Sequence, residues 1–286
     1  MKSIIYMLLI LITSLIPLNA TNLRIEAKEL SATLDKYKIL DTRNNRLFLK
    51  GHIKSAINFP IKFTYEHQKI NGKISQPIKM QKIIREFGLN IDDKIVIYSD
   101  GTFFDAARLF WTLEVYGFND LKLLNAGFDS WKSDGYESSY SSVKVTPSDY
   151  IAEIDSKKLA TKFTTQIATK NPNQIIIDAR SFKSYRGEKS SAKRYGHIPK
   201  AINIPAAHNI NYGKNSAKLK TIANLQDMYK SIDKGKKVVL YCAIGRISST
   251  NYFALRELGY DVSNYDASWK EWGNDYNLPI VVPLKD

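Results

Sequence analysis

The chain holds one cysteine, Cys242, and its surroundings suit covalent chemistry. It stands in Val238-Val239-Leu240-Tyr241-Cys242-Ala243-Ile244-Gly245-Arg246-Ile247-Ser248-Ser249-Thr250-Asn251. The apolar run before it reads as a buried strand and residues 242–247 as a loop. The polar residues after it read as the start of a helix, which Ser248 or Ser249 can cap. A loop that enters a helix turns free backbone N–H groups toward whatever it encloses. Those donors, with the helix N-terminus, favour an anion. Gly245 permits the tight curl, and Arg246 adds a positive charge at the rim. The pattern describes a thiolate nucleophile in an anion-binding cradle. A free cysteine is most often a small buried hydrophobe; the place of this one, at a strand end and before a helix, is what points to chemistry.

The elements that must position it come in two copies. Ile39-Leu40-Asp41-Thr42-Arg43, then Gly51-His52-Ile53-Lys54-Ser55-Ala56-Ile57-Asn58-Phe59-Pro60, matches Ile176-Ile177-Asp178-Ala179-Arg180, then Gly196-His197-Ile198-Pro199-Lys200-Ala201-Ile202-Asn203-Ile204-Pro205. Lys94-Ile95-Val96-Ile97-Tyr98-Ser99 matches Lys237-Val238-Val239-Leu240-Tyr241-Cys242. Each copy closes on a tryptophan-bearing segment, one reaching Trp131 and the other Trp272. A period this long is a domain duplication. Short β-branched runs read as buried parallel strands, and helices are expected near 81–87, 106–116 and 248–258. The expected fold is α/β: two tandem domains, each a mainly parallel sheet with helices on both faces. Ligands of such sheets bind at the carboxyl ends of the strands, where Cys242 stands.

The expected boundaries are an export signal over 1–20, a first domain over 21–140, a serine-rich linker over 141–149 and a second domain over 150–286. Met1-Lys2, an apolar stretch from Ile4 to Ile16 and Asn19-Ala20 have the layout of a cleaved signal. That stretch is short for a membrane span, which needs about 20 residues. The mature chain is expected to be exported, periplasmic or secreted, and off the membrane after cleavage.

Composition excludes several classes. One cysteine forms no intramolecular disulfide. The four histidines, His52, His67, His197 and His208, lack metal-ligand spacing, so no metal site is expected. The formal net charge is +14, but the lysines are scattered and no nucleic-acid signature accompanies them. The charge reads as a solvated surface with a mild attraction for small anions, and no nucleic-acid partner is expected.

The D-x-R strand ends, the Gly-His-Ile segments, the Tyr-Cys-x-x-Gly loop and Asn264-Tyr265-Asp266-Ala267-Ser268-Trp269-Lys270-Glu271-Trp272-Gly273 together resemble the tandem-domain rhodaneses, the thiosulfate and 3-mercaptopyruvate sulfurtransferases. The resemblance runs from about Leu23 to the C-terminus. It implies a catalytic second domain and a first domain without the cysteine, where Ser99 takes its position. It implies a double displacement: Cys242 accepts a sulfur from a small anionic donor as a persulfide and passes it to a thiophilic acceptor, cyanide or a thiol. The amides of Ala243, Ile244, Gly245, Arg246 and Ile247 would hold the anionic sulfur, and no cofactor is needed. Arg186 resembles the family's donor-binding arginine, with Arg194 as a competitor. Asp178, Arg180 and His197 read as structural, because Asp41, Arg43 and His52 recur where there is no cysteine. Trp269 and Trp272 read as core, or as pocket walls. Asp100 either fills the first domain's own loop or reaches across the interface. A monomer is expected.

The loop departs from the family. Many thiosulfate-selective members carry a basic residue directly after the cysteine, and some an arginine at the sixth position; here those are Ala243 and Ile247. Thiosulfate then binds more weakly, or Arg246 substitutes. Two rivals remain. One is a persulfide carrier or redox partner that serves a dedicated protein. The other is a cysteine-dependent phosphatase or arsenate reductase, although its arginine would fall at the position of Ser248.

Overall fold

The computed structural model describes residues 22–67, 72–213 and 217–282. The export signal expected over 1–20 lies outside the described residues. Among the described residues no helix is long and apolar enough to cross a membrane.

The strands of the first repeat are β1 (Arg24–Ile25), β2 (Lys38–Asp41), β3 (His52–Ile53), β4 (Ile57–Asn58), β5 (Ile95–Tyr98), β6 (Leu121–Leu124) and β7 (Ser138–Ser139). Those of the second are β8 (Leu159–Ala160), β9 (Gln174–Asp178), β10 (Ala201–Asn203), β11 (Ile210–Tyr212), β12 (Ala217–Leu219), β13 (Lys237–Tyr241) and β14 (Val262–Tyr265). One five-stranded sheet runs β1-β6-β5-β2-β4 with every pairing parallel. The other runs β8-β14-β13-β9-β10, also wholly parallel. The two orders superpose strand for strand, as expected of a duplicated α/β domain. The central strands β5 and β13 are apolar without alternation because helices cover both faces of each sheet.

Helix α1 (Phe104–Val115) follows β5, and helix α2 (Ser248–Glu257) follows β13. The helix expected over 81–87 spans Pro77–Glu86, beginning at a proline whose missing N–H costs nothing in a first turn. Helices α1 and α2 pack against each other across the interface between the repeats. Every residue of α1 from Ala106 to Val115 is buried, which explains why its apolar residues lie all round it. Phe110 meets Phe253 edge to face at 5.0 Å between centroids. Glu114 of α1 takes Arg256 at 2.8 Å and the Tyr252 hydroxyl at 2.6 Å from α2. One hydrophobic core runs through both repeats along this seam.

The chain beyond the serine-rich stretch stays bound to the first repeat. Ser148 N donates to Arg85 O at 3.0 Å, Arg85 Nε donates to Tyr150 O at 2.6 Å, and the Tyr150 ring stacks on Phe118. Asp155 N still reaches Val115 O, and the second sheet begins at β8.

Candidate active site

Cys242 directly follows β13, and the loop over residues 242–247 leads into α2. The residue is 1% exposed and packs with Ala179, Ala206, Ile247 and Phe104, the last delivered by the other repeat. The closing segment holds the back of the loop. Cys242 N donates to Ser268 Oγ at 3.1 Å, Trp269 N to Cys242 O at 3.0 Å, and Lys270 N to Ala243 O at 3.0 Å. Gly245 has φ +67, and a Cβ there would stand 2.5 Å from Asp266 O, so only glycine fits. The Gly245 carbonyl is drawn outward by Arg108 Nη1 at 3.2 Å, Ser249 Oγ at 2.9 Å and Asn264 Nδ2 at 3.1 Å. In a planar trans peptide the N–H points opposite to the C=O, so the Arg246 amide is aimed the other way. The amides of Ala243, Ile244, Gly245, Arg246 and Ile247 donate to no acceptor among the described residues. Five successive free donors in a turn that starts at a sulfur form an anion cradle.

The expected serine cap is not what forms. Ile247 is the N-cap residue, with no side-chain cap. Ser249 is committed to Gly245 O. Ser248 Oγ lies 3.4 Å from Cys242 Sγ and 2.7 Å from Asn264 Oδ1. A capping oxygen would consume the donors that the loop leaves open. Instead, the single Ser248 proton can turn to the sulfur and support a thiolate, or to Asn264 and leave a lone pair for a thiol.

Arg246 is at the rim, but not as a free cation. Its Nε lies 2.5 Å from Asp105 Oδ1, on the first turn of α1. Burial opposes its charge, and the Asp105 bond and charge outweigh burial and hold the guanidinium above its ordinary range. Arg186 ends the short helix Phe182–Tyr185, with Nε 3.5 Å from Glu188 and its guanidinium over the Phe182 ring at 5.5 Å. Arg194 is a clamp: it donates to the carbonyls of Trp272, Gly273, Asp275 and Leu278. Trp269 and Trp272 are fully buried, their indole N–H groups on Ser190 and Pro279 O.

Asp178 and Arg180 sit under the loop. Asp178 Oδ2 accepts from Arg180 Nη2 and Tyr241 Oη, both at 2.6 Å, and Oδ1 from Arg180 N at 2.9 Å. Arg180 also donates to Gly196 O at 2.8 Å and lies over Trp269 at 4.5 Å. Burial and the Asp178 charge raise the Tyr241 phenol well above its ordinary range, so it keeps the proton it donates. The first repeat duplicates this network with Asp41, Arg43, Tyr98 and Gly51. His197 stacks on Tyr185 at 3.8 Å, with Nδ1 2.9 Å from Tyr185 O; burial lowers its pKa and keeps it neutral. His52 is stacked on Phe48 in the same way. Asp100 serves its own loop, its Oδ1 accepting from Thr102 N at 3.0 Å and Thr102 Oγ1 at 2.9 Å.

Several residues of the site have no signal in spacing. Arg108 of α1 is fully buried and joins Gly72 O, at 2.9 Å, to Gly245 O. Gly72 abuts the loop so closely that a Cβ would stand 2.0 Å from Ile244 O. Ile74 N donates to Asp266 Oδ2 at 2.9 Å. Tyr65, bridged to Ile74, lies beneath Arg108. The repeat alignment marks Tyr98 and Tyr241, but nothing in it marks these.

The profile of the rhodanese-like domain matches this sequence twice, over residues 26–134 and 159–275. A protein of Saccharopolyspora erythraea, provisionally named a thiosulfate sulfurtransferase, is 30% identical over 245 residues, 82% of this chain and 85% of its own. The sulfur carrier protein TtuD of Thermus thermophilus is 30% identical over 263 residues, 82% of this chain and 87% of its own. The crystal structure of the 3-mercaptopyruvate sulfotransferase SseA of Escherichia coli aligns with a TM-score of 0.78 at 25% identity, covering 87% of this chain and 99% of that one.

Proposed function

The chain belongs to the rhodanese family, and on that premise we propose a sulfurtransferase that works through a Cys242 persulfide. The observation that carries the reading is the run of five unpaired amides from Ala243 to Ile247 around a buried sulfur. In the first half-reaction the Cys242 thiolate attacks the terminal sulfur of the donor. Its electron pair forms the S–S bond, and the donor's bond to that sulfur breaks with its electrons on the leaving group. In the second, cyanide or a thiol attacks the outer sulfur and the Cys242 thiolate returns. The free amides and the Ser248 hydroxyl stabilise the anionic sulfur in both halves.

For the donor we favour 3-mercaptopyruvate over thiosulfate. Thiosulfate is a dianion. Here the residue after the cysteine is Ala243, and the one loop cation, Arg246, is matched by Asp105. A cradle of dipoles without net charge suits a monoanion better. The test compares the two donors with cyanide as acceptor. A higher kcat/KM for 3-mercaptopyruvate is expected; preference for thiosulfate would reverse the assignment. Cys242→Ser is expected to abolish transfer with an unchanged melting temperature, and donor-treated wild type is expected to gain the mass of one sulfur at Cys242. Turnover surviving in the serine variant would end the persulfide mechanism.

The kinship with a sulfur carrier favours a second reading, delivery of the persulfide to a dedicated protein thiol. Saturable turnover with cyanide counts against it. We also propose export of the chain, supported by residues 1–20 in sequence. A mature N-terminus near Thr21 in protein recovered from outside the cytoplasm is the expected result; protein found only in the cytoplasm with Met1 intact would oppose it.

A further inference from the structure

The repeat that lacks the cysteine places one unused polar group at the site. Tyr65 is 2% exposed, and its hydroxyl, wholly buried, has no hydrogen-bond partner among the described residues. A buried hydroxyl without an acceptor costs about 1–3 kcal/mol, and native structures rarely keep one without a use. Its surroundings point to the use. The Arg108 guanidinium lies 4.5 Å from the Tyr65 ring centroid and donates to Gly245 O of the cysteine loop. The bridge to Ile74 ties Tyr65 to the segment that abuts Ile244 and donates to Asp266. Burial above all raises the phenol's pKa, with the side chains of Arg108, Asp105, Arg246 and Cys242 close enough to act on it, so it stays protonated as a donor.

We propose that the Tyr65 hydroxyl is a catalytic hydrogen-bond donor to the carbonyl oxygen of a 2-oxo-acid sulfur donor bound at Cys242. This rests on the sulfurtransferase reading above. When the Cys242 thiolate forms its bond to the donor's thiol sulfur, the C–S bond breaks and its electron pair moves into the carbonyl, giving the enolate of pyruvate. The thiol hydrogen stays on the transferred sulfur. Negative charge collects on the enolate oxygen, where Tyr65 O–H bonds to it, and water then protonates the carbon. Thiosulfate, whose leaving group is sulfite, has no such oxygen and draws nothing from Tyr65.

The test is Tyr65→Phe, which keeps the ring under Arg108 and removes only the hydroxyl. With 3-mercaptopyruvate and cyanide, kcat is expected to fall by roughly 10²-fold, the scale for loss of one oxyanion donor, with KM changing much less. With thiosulfate the rate is expected to stay within about 3-fold, since the donor's chemistry does not use the group. The melting temperature is expected to hold or rise, since the lost hydroxyl satisfied nothing. An unchanged 3-mercaptopyruvate rate, an equal loss with both donors, or a lowered melting temperature would overturn the proposal. Failure of the underlying reading shows separately, as wild-type protein that acquires no sulfur at Cys242 from either donor.

Discussion

Asp178→Asn separates support from catalysis. The carboxylate is fully buried, and its partner Arg180 is 4% exposed. Asparagine keeps Oδ1 for Arg180 N and Nε, but puts an amide NH2 where Oδ2 takes Arg180 Nη2 and the Tyr241 hydroxyl, both at 2.6 Å. The Arg180 bond becomes a donor-against-donor contact, the Tyr241 hydroxyl must turn its proton away and accept, and a buried guanidinium loses its counter-ion. Removing one partner of a buried pair costs about 3–5 kcal/mol. The Gly196 carbonyl and the Trp269 face still hold Arg180, which argues for the lower half of that range. At roughly 3–5 °C per kcal/mol for a domain of this size, the melting temperature falls by about 10–15 °C. Scanning calorimetry reads this directly. Asp41→Asn has the same partners at the same distances and is expected to cost the same, although its repeat has no cysteine. At 20 °C, turnover per folded Asp178→Asn molecule is expected to stay within a few-fold of wild type, because Asp178 has no contact with the free amides. A variant that melts as wild type yet loses turnover, with Asp41→Asn silent, would refute the structural role and make Asp178 a participant in the chemistry.

Two further substitutions probe the interface. Asp105→Asn removes the counter-charge of Arg246 while its Oδ1 can still accept from Nε, in a pair that is partly solvent-screened; the thiosulfate KM is expected to fall roughly 3-fold to 10-fold with little change for 3-mercaptopyruvate, and unchanged thiosulfate saturation would show that Arg246 does not face the donor. Gly72→Ala would set a Cβ 2.0 Å from Ile244 O and 2.6 Å from Asp266 O, both backbone, so the segment must lift off the loop; turnover is expected to fall on the order of 10²-fold in a folded protein, and wild-type turnover would show that the loop keeps its shape unaided.

The duplication, the parallel sheets and the place of Cys242 were legible in the sequence because each rests on local pattern. Strands buried on both faces print continuous apolar runs, such as Ile95-Val96-Ile97 and Val238-Val239-Leu240, and a repeat doubles the signal. The two-residue strands β1, β3, β4, β7 and β8 are too short to print any period. The site beyond the loop was hidden for a different reason. Asp105 meets Arg246, and Arg108 meets Gly245, only because α1 and α2 pack face to face, and no spacing encodes which faces of two domains will meet. Arg246 was therefore visible as a charge but not as half of a pair. The serine cap failed for a chemical reason: the general preference for a cap competes with the loop's need to leave its donors open.

The fate of the first repeat's own loop explains why it persists without a cysteine. Asp100 stands next to Ser99, and its carboxylate takes the Thr102 amide and hydroxyl, so this loop spends one of its own donors from within. Beyond it Phe103 adopts φ +64, a conformation that costs a bulky residue about 1–2 kcal/mol, and begins α1. That strained corner sets Phe104 against Cys242, Asp105 against Arg246 and, one turn on, Arg108 against Gly245 O. The position that holds the nucleophile in one repeat thus launches, in the other, the helix that walls the nucleophile in. With a carboxylate inside its own loop and no cysteine, the first repeat is a poor rival for an anionic donor, and its loop is free to be shaped for the neighbouring site.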